Sequence, residues 1–415
     1  MKLKTKIKKS LKTAYWNKQI MEICKAQNIT VKQLLSRIKS TQDFIRLIPT
    51  TNRSTLDAFG KEMLVKPSAK HFEAHTSGTS TSNPITVYFS LLDVARMATS
   101  LVRNYEHMGV GQGGRLIGLM PQGSSISQGD GKIEIIMPHV KFIYFEKLTE
   151  AYVKEILAAD SLYSYANIPI QMLTRYKPVV DECRKEGKIN LRTILATGDF
   201  LPESSAVKLK EILGEHVRIY NPYNSIESLM SSYCCEKGTI HISSGYYFPE
   251  IADDNHELLM TPLCCESMHY FRYRSGDIVE KVNCTCNNPD LAIKLIGRAN
   301  ATELHKNLRV DTIQNIVFSS DPFKTGKIDG ESGIISTKLT SEGRMVDIYL
   351  KQGKNFVSGE ENMIIKQLEE TVSNSNEFAF KLLSTSTLKN WLVNFHVMEA
   401  LPSKVFPGKW KLQVN

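Results

Sequence analysis

Apolar and polar residues alternate along two segments between Lys61 and Phe89, and this period of two predicts a pair of β-strands. The positions that share a face are Phe72, Ala74 and Thr76 in the first segment and Ile85, Val87 and Phe89 in the second. Residues 77–84 between them contain Gly78, Pro84 and five hydroxyl side chains. That composition predicts a turn between the two strands.

Helical patterns alternate with short apolar runs from residue 90 to about residue 220. Leu91 to His107 and Ala206 to Leu213 have the helical period, whereas Lys132 to Met137 and Arg192 to Thr197 are typical of buried strands. This alternation predicts a layered α/β body. Strand patterns then dominate from Val217 to Val282.

The last part of the chain, from about residue 301, predicts a small α+β domain. Its strand candidates are Gly333 to Thr340 and Met345 to Lys351, and the helical pattern of Glu360 to Val372 follows them.

Composition places the chain among ordinary globular proteins. It has 415 residues, of which 42% are hydrophobic and 23% charged, and its mean hydropathy is -0.22. These values exclude wholesale disorder, a collagen-like repeat and a disulfide-stapled mini-fold.

Positive charge is concentrated at the N-terminus. The net charge of the chain is +9, and residues 1–40 alone carry +10, so the remainder has a net charge of −1. A nucleic-acid-binding surface across the body is therefore not expected. Leu3, Ile7 and Leu11 recur at helical spacing among the lysines, which predicts an amphipathic helix. Either this helix packs on the body, or it meets acidic partners or anionic lipid.

No apolar stretch approaches the ~20 residues that a membrane span needs, and no apolar core of a signal peptide follows the basic start. We therefore expect no membrane span and a cytoplasmic protein. In a reducing compartment the eight cysteines are thiols or metal ligands more readily than disulfides.

Several short motifs follow one another in a fixed order. They are Ile48-Pro49-Thr50-Thr51, Ser77 to Pro84, Thr197-Gly198-Asp199, Tyr223-Asn224-Ser225-Ile226-Glu227, Tyr273-Arg274-Ser275-Gly276-Asp277, Gly297-Arg298 and Pro407-Gly408-Lys409. In this order they resemble the adenylate-forming superfamily of acyl-CoA synthetases, peptide-synthetase adenylation domains and luciferases. The likeness is greatest to the phenylacetate-CoA ligase branch and covers roughly residues 45–415.

The resemblance implies an α/β fold with two domains. A large ATP- and acid-binding domain of layered mixed sheets and helices would span residues 41–299, and the basic arm at 1–40 would be part of it. A small, mobile α+β domain would span residues 300–415 and carry the catalytic Lys409.

The resemblance also implies ATP-dependent activation of a carboxylic acid to an acyl-adenylate, with ATP and Mg²⁺ as cofactors. Pyrophosphate would leave, and the acyl group would pass to CoA, to an acidic carrier protein or to an amine. Lys409, Glu227 and Arg298 would be catalytic, and Glu227 would ligate Mg²⁺. The residues implied in nucleotide binding are Thr76, Ser77, Gly78, Thr79, Ser80, Thr81, Gly198, Asp199, Asn221, Tyr223, Asn224, Asp277 and Arg298.

Several positions depart from the family pattern. Ser80-Thr81-Ser82 replace the second glycine of the phosphate loop, Asn224 replaces a glycine, and Ile226 replaces a Thr or Ser next to the glutamate. Loss of that hydroxyl removes a hydrogen bond worth about 1.5–3 kcal/mol if it met a charged oxygen. The alternative function is therefore a noncatalytic or regulatory relative that binds nucleotide or an acyl ligand.

A second set of residues suits a metal. Either Cys234 or Cys235, together with His241, Cys284 and Cys286, would make a closed structural Zn²⁺ site on two neighbouring hairpins. A two-residue turn at Lys237-Gly238 would place Cys234 across from His241, and a three-residue loop would place Cys235 there. Buried free thiols are the alternative, and Cys264 and Cys265 are predicted to lie in the core.

Overall fold

The computed structural model places the chain in two compact units. Unit 1 comprises Met1–Thr76, Asn83–Gly109 and Pro222–Asn300, and unit 2 comprises Ser77–Ser82, Val110–Asn221 and Ala301–Asn415. The residues that the structure describes are 2–75, 85–110, 114–121, 140–198, 201, 203–228, 230–298, 313, 317–318, 320–340, 343–373, 391–402 and 410–414.

The described part of unit 1 contains six α-helices, five of which begin at a polar cap residue. They are α1 (Lys2–Ser10), α2 (Ala14–Ala26), α3 (Val31–Arg37), α4 (Thr41–Leu47), α5 (Arg53–Phe59) and α6 (Leu91–His107), and a 3₁₀ helix spans Gly60–Met63. Thr30, Ser40 and Ser90 form capping boxes, in which the cap hydroxyl and the third helical side chain satisfy each other's backbone N–H. The helix predicted from Leu91 to His107 is confirmed.

The basic arm packs on unit 1. Trp16, Phe44 and Phe271 form the centre of its apolar core, and the rings of Trp16 and Phe271 meet edge to face at 4.6 Å. Leu3 and Ile7 of α1 belong to the same core. The apolar stripe predicted along α1 therefore packs against the body.

Lysines of α1 fix the arm to a distant loop. Lys6 is only 5% exposed, and its ammonium donates to the carbonyl of Cys265 at 2.7 Å. Lys9 forms an ion pair with Glu266 at 2.7 Å, and Lys2 donates to the carbonyl of Gly245. Burial lowers the pKa of Lys6. Part of the charge excess of the arm thus serves intramolecular docking.

Unit 1 contains three antiparallel sheets. The strands are β1 (Phe72–His75), β2 (Thr86–Phe89), β8 (Asn224–Ser225), β9 (Met230–Ser231), β10 (Tyr233–Cys234), β11 (Ile240–Ile242), β12 (Tyr247–Ile251), β13 (Glu257–Pro262), β14 (Tyr273–Lys281) and β15 (Leu291–Arg298). β1 pairs with β2 and β8 with β9, and the other six form one sheet in the order β10-β11-β15-β14-β13-β12.

A five-stranded parallel sheet forms the first part of unit 2. Its order is β4-β3-β5-β6-β7, and its strands are β3 (Leu116–Met120), β4 (Lys141–Tyr144), β5 (Ser161–Tyr165), β6 (Thr193–Thr197) and β7 (Arg218–Tyr220). Every residue of β3, β5 and β6 is buried, as expected for parallel strands with both faces covered. The accompanying helices are α7 (Glu150–Leu157), α8 (Ile168–Arg175), α9 (Lys177–Lys185) and α10 (Glu203–Leu213), with a 3₁₀ turn at Phe145–Lys147.

The C-terminal part of unit 2 is a four-stranded mixed sheet with a helix. Its order is β18-β17-β16-β19, from β16 (Ile328–Thr340), β17 (Gly343–Gln352), β18 (Trp391–Met398) and β19 (Trp410–Val414), with α11 (Asp321–Lys324) and α12 (Glu361–Ser373). These elements match the α+β pattern predicted from the sequence.

Two predictions fall outside the described residues. The strand predicted from Lys132 to Met137 is one, and the predicted domain boundary at 299 and 300 stays a prediction because residues 299–312 are not described. Among the helices that the structure describes, none combines the length and the apolar character that crossing a membrane requires.

Candidate active site

The candidate magnesium ligand Glu227 lies in the turn of the β8–β9 hairpin. Ser225 in β8 donates its hydroxyl to Glu227 Oε2 at 3.0 Å, and the Ser228 amide donates to the Ser225 hydroxyl at 3.3 Å. The fully buried Tyr270 donates its hydroxyl to the main-chain carbonyl of Glu227. The carboxylate is therefore held by a neighbouring hydroxyl, and the turn is anchored from the core.

Ser225 lies next to Ile226, a position where the sequence departs from the family pattern. The family pattern places a hydroxyl immediately before the glutamate, where this chain has Ile226. Ile226 instead packs against the apolar core of unit 1. The hydroxyl that contacts the Glu227 carboxylate comes from one position earlier, so the local polar support of the carboxylate is retained.

Asp277 and Tyr223 form the second part of the site. The Tyr223 hydroxyl donates to Asp277 Oδ2 at 2.6 Å, and Asp277 is only 7% exposed. The Tyr223 amide donates to the Ser232 hydroxyl at 2.7 Å, and the Ser232 amide donates back to the Tyr223 carbonyl at 3.0 Å. These two bonds fix Tyr223 beside the hairpin that carries Glu227.

The strand that carries Asp277 is shaped by its own motif. Gly276 has a φ of 77°, a conformation that favours glycine, and its amide donates to Glu257 Oε1 at 2.8 Å. Arg274 forms an ion pair with Glu257 at 3.0 Å. Ser275 donates to the Leu258 carbonyl at 2.7 Å and accepts from the Asp277 amide. Each residue of this motif thus helps to orient the aspartate.

Arg298 and the upstream threonine segment lie next to the same strand. Asp277 on β14 is the direct register partner of Arg298 on β15. At the beginning of the same strand, Thr51 forms a bridge with Tyr273, and the Arg274 amide donates to the Thr51 carbonyl at 2.8 Å. Two motifs more than 200 positions apart in sequence therefore meet at one strand.

Gly198 ends β6 of the parallel sheet in unit 2. Its φ is 75°, and a Cβ at this position would stand 2.5 Å from the ring of Tyr165. Both the backbone conformation and the close ring exclude a side chain. The Gly198 backbone therefore lies against the Tyr165 ring, and its nucleotide-binding role stays a prediction.

The side chain of Asn221 connects two segments of unit 2 by hydrogen bonds. Its side-chain amide donates to the Ala196 carbonyl at 2.7 Å, and its Oδ1 accepts from the Leu201 amide at 3.0 Å. It therefore ties β6 to the segment that follows Gly198. Asn224, another residue predicted to contact nucleotide, lies in β8 opposite Ser231.

The remaining predicted site residues lie outside the described residues. They are Thr76, Ser77, Gly78, Thr79, Ser80, Thr81, Asp199 and Lys409. Their roles stay predictions.

A separate group of thiols and one imidazole lies in the six-stranded sheet of unit 1. Cys235, His241, Cys284 and Cys286 bring their ligand atoms within 4.8 Å of one another. The sulfurs of Cys235 and Cys284 are 3.6 Å apart, and the Cys286 sulfur is 3.4 Å from His241 Nε2. A hydrogen bond from Thr239 is the main cause that lowers the pKa of the Cys284 thiol to about 6.

The turn between β10 and β11 decides which of the adjacent cysteines joins this group. The Cys235 amide donates to the Thr239 carbonyl, and Gly238 adopts a φ of 75°, so Glu236, Lys237 and Gly238 form a three-residue loop. The register partner of His241 is Tyr233. Cys235 follows two positions later and shares that face, whereas Cys234 lies on the opposite face and is buried.

Contacts around the imidazole orient it. His241 Nδ1 lies 3.4 Å from the carbonyl oxygen of Asp290, and the His241 ring stacks on Tyr233 at 5.4 Å. Tyr233 in turn donates to Asp290 Oδ2 at 3.0 Å, and burial raises its pKa above the ordinary tyrosine range. Nε2 therefore faces the three sulfurs.

The fold is shared with solved ligases at low sequence identity. A 2-hydroxyisobutyryl-CoA ligase in the postadenylation state, bound to the adenylate R3-HIB-AMP, matches with a TM-score of 0.65 over 100% of this chain and 88% of that chain, at 14% identity. An open form of that ligase with 2-HIB-AMP and CoA gives a TM-score of 0.57 over 100% of this chain and 90% of that chain, at 13% identity. The chain has the fold of the adenylate-forming ligases.

A further solved structure with this ligase fold, an ATP-bound RpMatB-BxBclM chimera, has a TM-score of 0.50, 12% identity and a match over 81% of this chain and 65% of that chain. No family model and no curated protein matches the sequence. The fold expected from the ordered motifs is thus confirmed by structure, although the sequence as a whole has diverged far from these ligases.

Sequence reasoning missed three residues that support this site. Ser225, Ser232 and Tyr270 orient the hairpin of Glu227 through hydrogen bonds. The signal for Ser225 was present, because a hydroxyl two residues before a carboxylate can reach it locally. Tyr270 lies 43 positions away from Glu227, and no local pattern connects the two.

Proposed function

We propose that this chain activates a carboxylic acid with ATP. A carboxylate oxygen attacks the α-phosphorus, the bond from that phosphorus to the β-phosphate bridging oxygen breaks, and pyrophosphate leaves with the electron pair. The product is an acyl-adenylate. In the second step a thiolate or an amine attacks the acyl carbon, and AMP leaves.

The observation that carries this proposal is the pair formed by Asp277 and Tyr223. Asp277 offers a carboxylate on a glycine-bent strand, and the hydroxyl of Tyr223 donates to one of its oxygens. A carboxylate can accept hydrogen bonds at both oxygens, so it suits the two hydroxyls of a ribose. Solved proteins with this fold hold acyl-adenylates, which supports the assignment of a nucleotide to this carboxylate.

Glu227 fits a magnesium ligand. It offers hard carboxylate oxygen, the donor type that Mg²⁺ prefers, and Ser225 orients one of its two oxygens. When bound, Mg²⁺ offsets the negative charge of the phosphates. The chain's contribution is to hold the carboxylate in place from Ser225 and from the Tyr270 anchor.

Three further roles are proposed on the resemblance to the phenylacetate-CoA ligase branch. The hydroxyl-rich segment 76–82 holds the leaving phosphates through hydroxyl and backbone donors. Arg298 contributes positive charge near the ribose or phosphate. Lys409 delivers a point charge to the α-phosphate and acts mainly on charge that develops in the transition state.

The first experiment measures acid-dependent pyrophosphate release by the purified chain with a panel of carboxylic acids. We expect release from wild type with at least one acid and a loss of orders of magnitude in Lys409→Ala, with ATP binding nearly intact. Wild-type release in Lys409→Ala, where chemistry limits the rate, would contradict the assigned role. ATP binding without release by any acid would favour the noncatalytic alternative.

We propose a thiol or an amine as the acceptor, with CoA and an acidic carrier protein as the thiol candidates. The cytoplasm is the setting we propose, since none of the eight cysteines forms a disulfide, as suits a reducing compartment. Nine basic residues of the arm remain exposed after it has packed: Lys2, Lys8, Lys9, Lys12, Lys18, Lys25, Lys32, Arg37 and Lys39. An acidic carrier would be attracted to such a surface, and its association would weaken with salt.

The arm is tested by charge reversal, because deletion of α1 would remove Leu3, Ile7 and the buried Lys6 from the body. Lys18→Glu, Lys25→Glu and Lys32→Glu together should slow transfer to an acidic carrier at low salt several-fold and spare pyrophosphate release. The matched control reverses Lys61, Lys66 and Lys70, which are exposed on unit 1 outside the arm. Equal rates in both triple variants would show that the arm does not recruit the acceptor.

We also propose that Cys235, His241, Cys284 and Cys286 hold a structural zinc ion. In a tetrahedral site with Zn–S bonds of about 2.3 Å, sulfurs stand about 3.8 Å apart. The distances of 3.6 Å between sulfurs and 3.4 Å from sulfur to imidazole are close to that geometry. The Asp290 carbonyl against His241 Nδ1 is the outer contact that orients a metal-bound imidazole.

A further inference from the structure

Two buried amide side chains lie where the central strand of the parallel sheet gives way to a helix. Asn167 immediately precedes α8, and Gln171 lies in its first turn; they are 2% and 0% exposed. Residues four apart on a helix share a face, so both amides lie on the same side of α8. The two side chains form one polar cluster in unit 2.

The cluster lies beside the segment of unit 2 that carries Gly198. Strand β5 ends at Tyr165, which pairs with Thr197 at the end of β6, and the Ala166 amide donates to the Thr197 carbonyl at 3.1 Å. Gly198 follows directly, against the Tyr165 ring. Ligands of parallel α/β sheets bind at the carboxyl ends of the strands. Asn167 and Gln171 are therefore placed where a substrate would meet this sheet.

Among the described residues, neither amide finds partners for all of its polar atoms. Asn167 Nδ2, Gln171 Nε2 and Gln171 Oε1 are buried and make no hydrogen bond within the part of the chain that the structure describes. Asparagine before a helix commonly caps it, yet the Asn167 side chain makes no such bond. The neighbours Ile168, Ile170, Met172 and Leu173 are buried and apolar. Buried amides without partners are costly, and a bound ligand removes that cost.

The unsatisfied atoms define the chemistry of their partner. They comprise two N–H donors, on Asn167 and Gln171, and one carbonyl acceptor on Gln171. A carboxamide complements all three, because its carbonyl oxygen accepts two hydrogen bonds and its N–H donates one. The syn arrangement of C=O and N–H that pairs with both ends of the Gln171 amide exists in a primary carboxamide and in a lactam.

We propose that Asn167 and Gln171 select an acid whose acyl group carries a carboxamide or lactam. This inference rests on the proposed function and names its substrate class. Gln171 pairs with the amide through Nε2 and Oε1, and Asn167 Nδ2 donates to the second lone pair of the ligand carbonyl. An apolar acyl group leaves all three atoms unpaired, and a site built in this way rejects such a group strongly.

The test uses three matched acids in each of two series. Glutaramic acid and isophthalamic acid carry a carboxamide, and in their analogues an acetyl or an isopropyl group replaces it. The acetyl group keeps the acceptor and loses the donor, and the isopropyl group loses both. Acid-dependent pyrophosphate release is measured for wild type, Gln171→Met, Asn167→Leu and the control Thr174→Val, which removes a hydroxyl from the same helix.

We expect wild type and Thr174→Val to favour at least one carboxamide acid over its isopropyl analogue by at least about tenfold in kcat/KM, with the acetyl analogue between them. Gln171→Met should lose this preference and, without ligand, should melt at a higher temperature because a buried unpaired amide is gone. Preference for the isopropyl analogue in wild type, or an unchanged preference in Gln171→Met, would overturn the proposal.

Thermal shift by the same six acids, in the presence of a nonhydrolysable ATP analogue, separates this inference from the proposed activity. A larger rise in melting temperature with a carboxamide acid than with its isopropyl analogue, present in wild type and absent in Gln171→Met, supports the subsite even if no acid releases pyrophosphate. Equal shifts for the three acids of both series in wild type would overturn it, whatever the activity.

Discussion

The polar site residues of unit 1 and the buried amides of unit 2 differ in how many of their hydrogen bonds the protein itself supplies. In unit 1, Asp277 is bonded by Tyr223, and Glu227 by Ser225, so the site residues are held before any ligand arrives. In unit 2, Asn167 and Gln171 are buried deeper, and three of their atoms have no partner in the described part of the chain. Residues that serve a step common to all substrates can be oriented by hydrogen bonds within the protein. Residues that recognise one substrate need hydrogen-bonding atoms that remain available to that substrate.

The largest effect is expected at Asp277. Asp277→Asn removes the ionised acceptor, so kcat/KM for ATP in pyrophosphate release should fall by about 100-fold or more. Tyr223→Phe removes one orienting bond and keeps the carboxylate, so its loss should be about tenfold. Equal losses in the two variants would show that the carboxylate serves only to bind the tyrosine.

The next test concerns the cysteine group of unit 1. Purified, chelator-free protein should contain about one zinc per chain, and Cys235→Ser should lose it and unfold at lower temperature. Cys284→Ser combined with Cys286→Ser should do the same. The adjacent Cys234→Ser is the matched control and should keep the zinc. Elemental analysis that finds no transition metal in wild type would contradict the zinc site and leave its three cysteines as free thiols.

Glycines with the same backbone conformation allow a direct comparison of the two units. Gly198→Ala places a Cβ against the Tyr165 ring at a φ of 75°, and we expect a loss of about 2–4 kcal/mol in the free energy of unfolding. Gly238→Ala has the same φ of 75° with open space around it, so only the strain of about 1–2 kcal/mol applies. Urea denaturation of both variants measures the difference. Equal losses would mean that the Tyr165 ring moves away from the added Cβ without an energetic cost.

A smaller effect is expected from pH on the free energy of unfolding of unit 1. Burial lowers the pKa of His269 from 6.5 to about 2, so the unfolded chain binds a proton that the folded chain does not between these values. The stability that the buried, neutral His269 contributes is fully present above pH 6.5 and decreases as the pH falls below that value. At about pH 4.5 the loss is about 2–3 kcal/mol.

Replacement of His269 by Leu should reduce this part of the acid sensitivity, and the exposed His216→Gln should leave it unchanged. Urea midpoints at about pH 7 and about pH 4.5 give the comparison. An equal loss of stability in wild type and His269→Leu would contradict the buried neutral imidazole.

Local sequence patterns anticipated much of the secondary structure, because short-range periodicity determines which face of an element is buried. The helix from Leu91 to His107 and the β1–β2 pairing are examples. The ordered motifs also anticipated the fold.

Contacts between distant parts of the chain were not predictable in this way. The bond from Lys6 to Cys265 joins positions 259 residues apart and converts part of a basic arm into a docked helix. The choice of Cys235 over Cys234 depended on a turn length that the sequence left open. The segment from Tyr165 to Met172 was expected to line a substrate pocket, but the roles of Asn167 and Gln171 could not be predicted, because an amide on a helix is informative only once its burial and its missing partners are known.

The central claim is that a carboxylate oxygen attacks the α-phosphorus of ATP. It is tested most directly with an acid labelled with heavy oxygen in its carboxyl group, using wild-type protein and a thiol or amine acceptor. The account predicts that one labelled oxygen appears in AMP and that pyrophosphate stays unlabelled. Label in inorganic phosphate with ADP as the nucleotide product, or AMP without label in a reaction that consumes the acid, would contradict it.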